Sequence, residues 1–285
     1  MESIASLLRA GEAQLEAVGI PDAGREASSL LASALECDRA FLIAHPEQVA
    51  ETRPRERYFH HISRRARREP FHYITGKKEF YGLEFTVTPA VLIPRPETEM
   101  LADRAIELLG NVEESRFCEV GVGSGCISAA VLVNVPGASG VGLDISEAAI
   151  EVARQNVLRH EVGYRFELRV SDVLAGVHSG EKFDLIVSNP PYVPAGDIEG
   201  LQPEVRDHEP IVALTGGEDG LSVVRRLIAD SPPFLEPGGT LMFEIGFSQA
   251  EAVLEMFKPD VWLSAGTESD FQGIPRIVTA RVRDC

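Results

Sequence analysis

Asn189 closes the run DLIVSN and is followed at once by Pro190, Pro191 and Tyr192. Aliphatic and β-branched residues that stop at an asparagine read as a buried strand with a polar end. A residue before a proline is biased toward extended backbone. Neither proline carries an N–H, so the backbone here presents carbonyl acceptors, joined by the side-chain oxygen of Asn189. Two convergent acceptors suit a planar NH2 group with two hydrogens to give, and Tyr192 can stack on its plane. The chemistry that fits is methylation of an amide or exocyclic amine nitrogen. Such a nitrogen is a poor nucleophile because its lone pair is conjugated. Holding both N–H bonds aims the developing lone pair, and the acceptors strengthen as positive charge grows on nitrogen. The plainer alternative is a strand terminator, since N-P and P-P mark turns.

A second motif supplies what such chemistry needs beside it. CEVGVGSGC follows a short apolar strand and opens a helix. Gly121, Gly123 and Gly125, with Val122 and Ser124 between them, form a G-x-G-x-G turn whose backbone can approach a ligand without Cβ clashes. Asp144 ends the next strand and can accept from both hydroxyls of a ribose. Asp172 ends the strand after that and is placed to accept from an adenine amino group, with Val173 lining the ring. Glu119, just before the loop, can face the positive end of a sulfonium cofactor, because a carboxylate near a cation in a partly buried cleft is favourable. A nicotinamide-dependent dehydrogenase would also explain the glycines but leaves the NPPY run idle. A non-enzymatic α/β binding module needs the loop to be vestigial, and nothing in it is broken.

These residues require a sheet to hold them. After Glu97 strand-like and helix-like segments alternate, from RFCEVGVGSG through GVGLDI, SEAAIEVARQNVLRH and KFDLIVSN to TLMFEIG, with two last strands near Trp262 and Ile277. That alternation predicts a doubly wound, mostly parallel α/β sheet. Residues 1–72 read as a small helical domain, residues 73–95 as a β-hairpin linker broken by Gly and Pro, and 96–285 as the domain that carries the chemistry.

Composition narrows the class. The 285 residues carry a formal net charge of −17 with 44% hydrophobic and 25% charged residues, ordinary for a soluble globular protein apart from its acidity. No apolar stretch approaches the roughly 20 residues of a membrane helix, and the N-terminus lacks the basic start and apolar block of a secretory signal. Cys37, Cys118, Cys126 and Cys285 have no metal or disulfide spacing, and Cys285 is assigned no role. A monomeric cytoplasmic enzyme without a metal is the expectation. So acidic a surface repels phosphate backbones. The exception is local: seven arginines (Arg53, Arg55, Arg57, Arg64, Arg65, Arg67 and Arg68) crowd one segment, either as a contact surface for RNA or an acidic protein, or as a solvated helix face. His60, His61 and His72 lack ligand spacing and read as surface or packing residues. Arg95 and Glu97 in PRPETE stand either at the cofactor mouth or in a rigid turn before a helix. Glu209 and Glu244 are candidates to support the NPPY loop by hydrogen bonds.

In their order, EVGVGSG, GLDIS, SD and NPPY resemble class I S-adenosylmethionine-dependent N-methyltransferases over roughly residues 90–285. A narrower likeness covers almost the whole chain: FHYITGKKEFYGLEFTVTPAVLIPRPETE, NPPYVP, EPIVALTGGEDGL, FEIG and GIPRIV resemble the peptide chain release factor glutamine methyltransferases. The resemblance implies a Rossmann-like methyltransferase sheet, a helical N-terminal domain that recognises substrate, S-adenosylmethionine as cofactor, and class I release factors as protein partners; the acidic charge adds the expectation of no direct nucleic-acid contact. The target would be the glutamine of their Gly-Gly-Gln tip. Carried over by position, Gly121 to Gly125 would cradle the methionine moiety, Asp144 the ribose, and Asp172 with Val173 the adenine. Asn189 and the Pro190 carbonyl would hold the target amide, Pro191 and Tyr192 would flank it, and Phe80 would shape the cleft. The chain departs from the family's usual residues at Glu119, where Asp is common, and at Val173, where an aromatic is common. Ribosomal-protein glutamine methyltransferases and exocyclic-amine methyltransferases of nucleic acid share NPPY. The run IPRPETE favours the release-factor type.

Overall fold

The computed structural model describes residues 2–283, and Cys285 lies outside them. The chain divides into two compact units. One comprises the chain through Lys77 together with Gln202–His208, and the other comprises Lys78–Leu201 and the chain from Glu209 onward.

The first unit is helical: α1 (Ile4–Glu16), α2 (Ala23–Leu35), α3 (Arg39–Ala44), α4 (Thr52–Ala66) and α5 (Phe71–Thr75). Ser3 caps α1 by accepting from the Ser6 N–H, and Asp38 caps α3 by accepting from Phe41; both satisfy N–H groups that the first turn leaves open. Leu7, Leu15, Leu30, Leu31, Tyr58 and Ile62 form its core. Tyr58 lies against Gly11, where any Cβ would overlap its hydroxyl. Five of the seven clustered arginines form ion pairs within this unit. Arg65, only 6% exposed at its side chain, pairs with Glu26 and Glu204. Arg55 pairs with Glu2, Arg57 with Glu36, Arg64 with Glu69 and Arg68 with Glu204. Arg53 and Arg67 stay exposed without an ion pair among the described residues.

The second unit opens with a hairpin of β1 (Lys77–Phe80, all but its first residue in this unit) and β2 (Leu83–Thr86). Its loop is Tyr81-Gly82, both at positive φ (54° and 70°), the two-residue turn whose twist matches paired strands. The hairpin turn is tied to α6 (Thr98–Gly110) by Tyr81 N–H to Glu99 and Tyr81 OH to Asp103. Phe80 is 1% exposed and packs edge-on to Phe85 in the core. The expected role of Phe80 in shaping the cleft is thus corrected: alternation along β1 turns it inward.

The sheet then forms from β3 (Arg116–Val120), β4 (Ser139–Asp144), β5 (Phe166–Val170), β6 (Phe183–Ser188), β7 (Leu235–Glu244), β8 (Trp262–Ser269) and β9 (Pro275–Val282). The order is β5-β4-β3-β6-β7-β9-β8. Strands β3 to β7 run parallel, and β9 runs antiparallel to β7 and β8. The helices α7 (Cys126–Asn134) and α8 (Glu147–Arg159) join α6 over one apolar face; α10 (Ser222–Asp230) and α11 (Ala250–Leu254) cover the other. The doubly wound expectation therefore holds. Two boundaries differ from the expected domains. The hairpin groups with the sheet, and Gln202–His208, which contains the short α9 (Pro203–Arg206), groups with the helices.

Candidate active site

The chain steps from β3 outward to β5 and then returns to the far side of β3 as β6. That reversal lies between β3 and β6, and ligands of open α/β sheets sit at the carboxyl ends of strands at such a point. Both motifs begin there. Val120 and Ser188 are register partners, so Gly121 and Asn189 are the next residues on neighbouring strands. A Cβ on Gly121 would lie 3.8 Å from the Asn189 carbonyl oxygen.

A cavity opens over these strand ends. Its wall takes Glu119, Gly121, Val122, Gly123 and Ser124 from the first motif, Asp144 and Ile145 after β4, Ser171 and Val173 after β5, and Asn189 and Pro191 after β6. Gly121, Gly123 and Gly125 all have φ between 52° and 75°, a region that only glycine enters without strain. Gly125 stands behind the wall, where a Cβ would come 3.3 Å from that of Ala153. Its role is to let α7 start close against α8.

Asp144 accepts from the N–H groups of Gly123 and Ser146 at 2.9 Å each. Burial raises its pKa against those two donors. Glu119 is 1% exposed and accepts from both the backbone N–H and the hydroxyl of Ser128. Desolvation pushes its pKa up to about 8 despite these bonds. A cation beside this carboxyl would favour its ionised form.

Asp172 is not part of the wall. Its exposed carboxylate turns away to Arg226, 2.7 Å distant, and this partner holds its pKa low. Its neighbour Val173 points in at φ 53°, rare for a β-branched residue. Ser171 holds that turn by donating to the Val173 carbonyl and accepting from Gly176.

Among the NPPY residues, Asn189 and Pro191 reach the cavity, whereas Pro190 is buried beneath it. Tyr192 is not in the wall. Its hydroxyl donates to Glu244 at 3.2 Å, and burial with that carboxylate pushes its pKa up. Asn189 Nδ2 donates to Thr98 Oγ1 at 3.0 Å, and Thr98 donates in turn to Glu244 at 2.8 Å. Arg95 reaches the cavity and pairs with the buried Glu209 at 2.7 Å, while Glu97 does not line the cavity. Glu209 also accepts from the Ile93 N–H, so one carboxylate joins two segments of the rim.

Three contributors were not anticipated. Thr98 closes the network just described. Asn156 on α8, fully buried, donates to the carbonyls of Thr86 and Ser124 and accepts from Thr86 N–H, fixing hairpin and glycine loop together. The TGGEDG turn backs the NPPY loop: Gly216 N–H donates to Val193, Gln249 donates to the Tyr192 carbonyl, and a Cβ on Gly220 would overlap that same oxygen. Its glycines and a buried threonine ahead of a helix were the only local signals.

Residues 6–76 match the PrmC N-terminal domain model and residues 99–200 the methyltransferase small domain model. The chain is 42% identical over 267 residues to a release factor glutamine methyltransferase of Koribacter versatilis, covering 94% of each protein. It is 42% identical to another from Geobacter sulfurreducens, covering 93% of this chain and 91% of that one. In fold, it resembles a methyltransferase structure from Pyrococcus furiosus with TM-score 0.54 and 19% identity, over 73% of this chain and 92% of that one.

Proposed function

Because this chain belongs to the release factor glutamine methyltransferase family, we propose that it methylates the side-chain amide nitrogen of the glutamine in the Gly-Gly-Gln tip of class I peptide chain release factors, with S-adenosylmethionine as donor. It is an enzyme of translation termination, and its release-factor substrates put its work in the cytoplasm.

The observation that carries the reading is the adjacency of Gly121 and Asn189 at the switch point, a ligand-hugging glycine loop beside an amide acceptor. The residues present fit S-adenosylmethionine. Glu119 and Asp144 offer carboxylates to its positive methionine end and its ribose, and Ile145 with Val173 offers apolar walls to its adenine. When bound, that cofactor supplies the methyl group. The protein's own part is positioning. Asn189 Oδ1 and the neighbouring backbone carbonyl accept the two hydrogens of the target amide, and these bonds strengthen as nitrogen becomes positive. No nucleophilic side chain takes part, so transfer is direct. The proton leaves nitrogen to water with or after methyl transfer. Asp172 takes the adenine amino group only if it leaves Arg226.

Mass analysis of a release factor after incubation with enzyme and cofactor tests this. One added methyl on the peptide that contains Gly-Gly-Gln is expected. Cofactor bound with that peptide unchanged would refute the substrate.

A further inference from the structure

An asparagine amide has two different ends, and only its oxygen can receive an N–H from a target. The protein must therefore settle which end faces the cavity. Three elements meet at that decision: the first residue of α6, Thr98; the residue after β6, Asn189; and the last residue of β7, Glu244. Thr98 and Glu244 are both 2% exposed.

The polarity follows from donor counting. Glu244 receives Tyr192 OH on one oxygen and Thr98 OH on the other. Burial raises the Glu244 pKa, and the Thr98 and Tyr192 hydroxyls and Arg276 oppose that rise; with a hydroxyl on each oxygen it accepts as a carboxylate, which has no proton to return. Thr98 has a single hydroxyl hydrogen, and it is given to Glu244. Thr98 can then only accept from Asn189, so it takes the Nδ2 end. Among the described residues Asn189 Oδ1 makes no hydrogen bond, and the residue lines the cavity. The unused end is the acceptor.

We infer that Thr98 and Glu244 are positioning residues that lock the Asn189 amide oxygen-outward, and so select an NH2 group over a carboxylate or other acceptor as the target of transfer. The inference rests on the reading of Asn189 as acceptor for the target amide. The relay runs from Glu244, outside the cavity wall, through one hydroxyl to Asn189, which lines it.

Glu244→Gln inverts the relay at constant shape. The glutamine amide can donate to Thr98, whose hydroxyl can then donate to Asn189 Oδ1. Every hydrogen bond is refilled, but the amide is reversed and its NH2 faces the target. Thr98→Val removes the relay, whereas Thr98→Ser keeps it. The experiment measures kcat, KM and cofactor affinity for these three variants, alone and combined with Asn189→Ala. Glu244→Gln and Thr98→Val should lose roughly 10- to 100-fold in kcat, less than or equal to the loss from removing Asn189 itself. Cofactor affinity should be unchanged and Thr98→Ser should keep near-full rate. On the Asn189→Ala background neither substitution should cost anything further, since the relay acts through Asn189.

A second readout separates this from general damage. A release factor whose tip is Gly-Gly-Glu offers only acceptors, so it should inhibit Glu244→Gln more strongly than the unaltered enzyme. Full kcat in Glu244→Gln and Thr98→Val would overturn the inference. So would an equal additional loss on the Asn189→Ala background. If Asn189→Ala itself is fully active, the underlying reading of Asn189 falls, and the inference with it. Should Glu244→Gln fail to fold, the Thr98→Val and Thr98→Ser pair carries the same test.

Discussion

The Ser188 hydroxyl donates to the Val120 carbonyl across 2.7 Å. This ties the last residue of β6 to the last residue of β3, and each strand's next residue opens half of the site. The glycine loop and the NPPY loop are therefore not merely near each other. Their spacing is set by sheet register, the most rigid ruler the fold has, and a positioning catalyst needs such a ruler because small misplacements are costly in rate.

Removing the acceptor should separate rate from cofactor binding. Asn189→Ala is expected to lower kcat by about 10²- to 10³-fold, or about 2.7–4 kcal/mol, while cofactor affinity stays within a few-fold. Calorimetric titration beside a transfer assay checks it. Full activity in the variant would remove Asn189 from the mechanism.

Cofactor binding should release a proton from Glu119. With its pKa pushed up to about 8, the carboxyl is largely protonated at neutral pH. A cation beside it favours the ionised form, so affinity should rise with pH and level off above about 8. The slope below that point approaches tenfold per pH unit if Glu119 must ionise fully. Glu119→Gln should flatten the profile. A flat profile in the unaltered protein contradicts the assignment.

The turn behind NPPY should tolerate no side chain at Gly220. Its φ is 77° and a Cβ would strike the Tyr192 carbonyl. Gly220→Ala combines left-handed strain of about 1 kcal/mol with displacement of the loop. Thermal stability should fall and kcat should fall with it, since the loop that moves carries Asn189. Unchanged kcat at lowered stability would show the loop to be independent of its backing.

Within the helical unit, Arg65 should matter for stability. Arg65→Met leaves Glu26 and Glu204 without their shared partner. A fully buried pair broken in this way costs about 3–5 kcal/mol. The two glutamates keep some solvent, so about 2 kcal/mol is expected. Faster amide exchange in α2 and α4 would report it. Arg65→Lys should recover only part, because it lacks the planar fork that serves two carboxylates.

How much of this could be read in the chain beforehand depends on range. The parallel strands and both loops were legible because apolar runs ending in Gly or Asn-Pro are local signals. The direction of a side chain is not. Asp172 stands at the expected strand end, but its partner Arg226 lies 54 positions later and turns it outward. Phe80 sits in the expected hairpin, yet the two-residue turn fixes an alternation that buries it. Thr98 and Glu244 are 146 positions apart, and Arg65 and Glu204 139 apart. Each pair is invisible until the fold brings it together, which is why the relay and the placement of Gln202–His208 were not foreseen.

Methyl transfer from labelled S-adenosylmethionine to a purified class I release factor, run beside the same factor with its tip changed from Gly-Gly-Gln to Gly-Gly-Ala, decides whether that glutamine is the target. Label is expected on the intact tip alone. Label on both proteins, or on neither while the enzyme binds its cofactor, would contradict it.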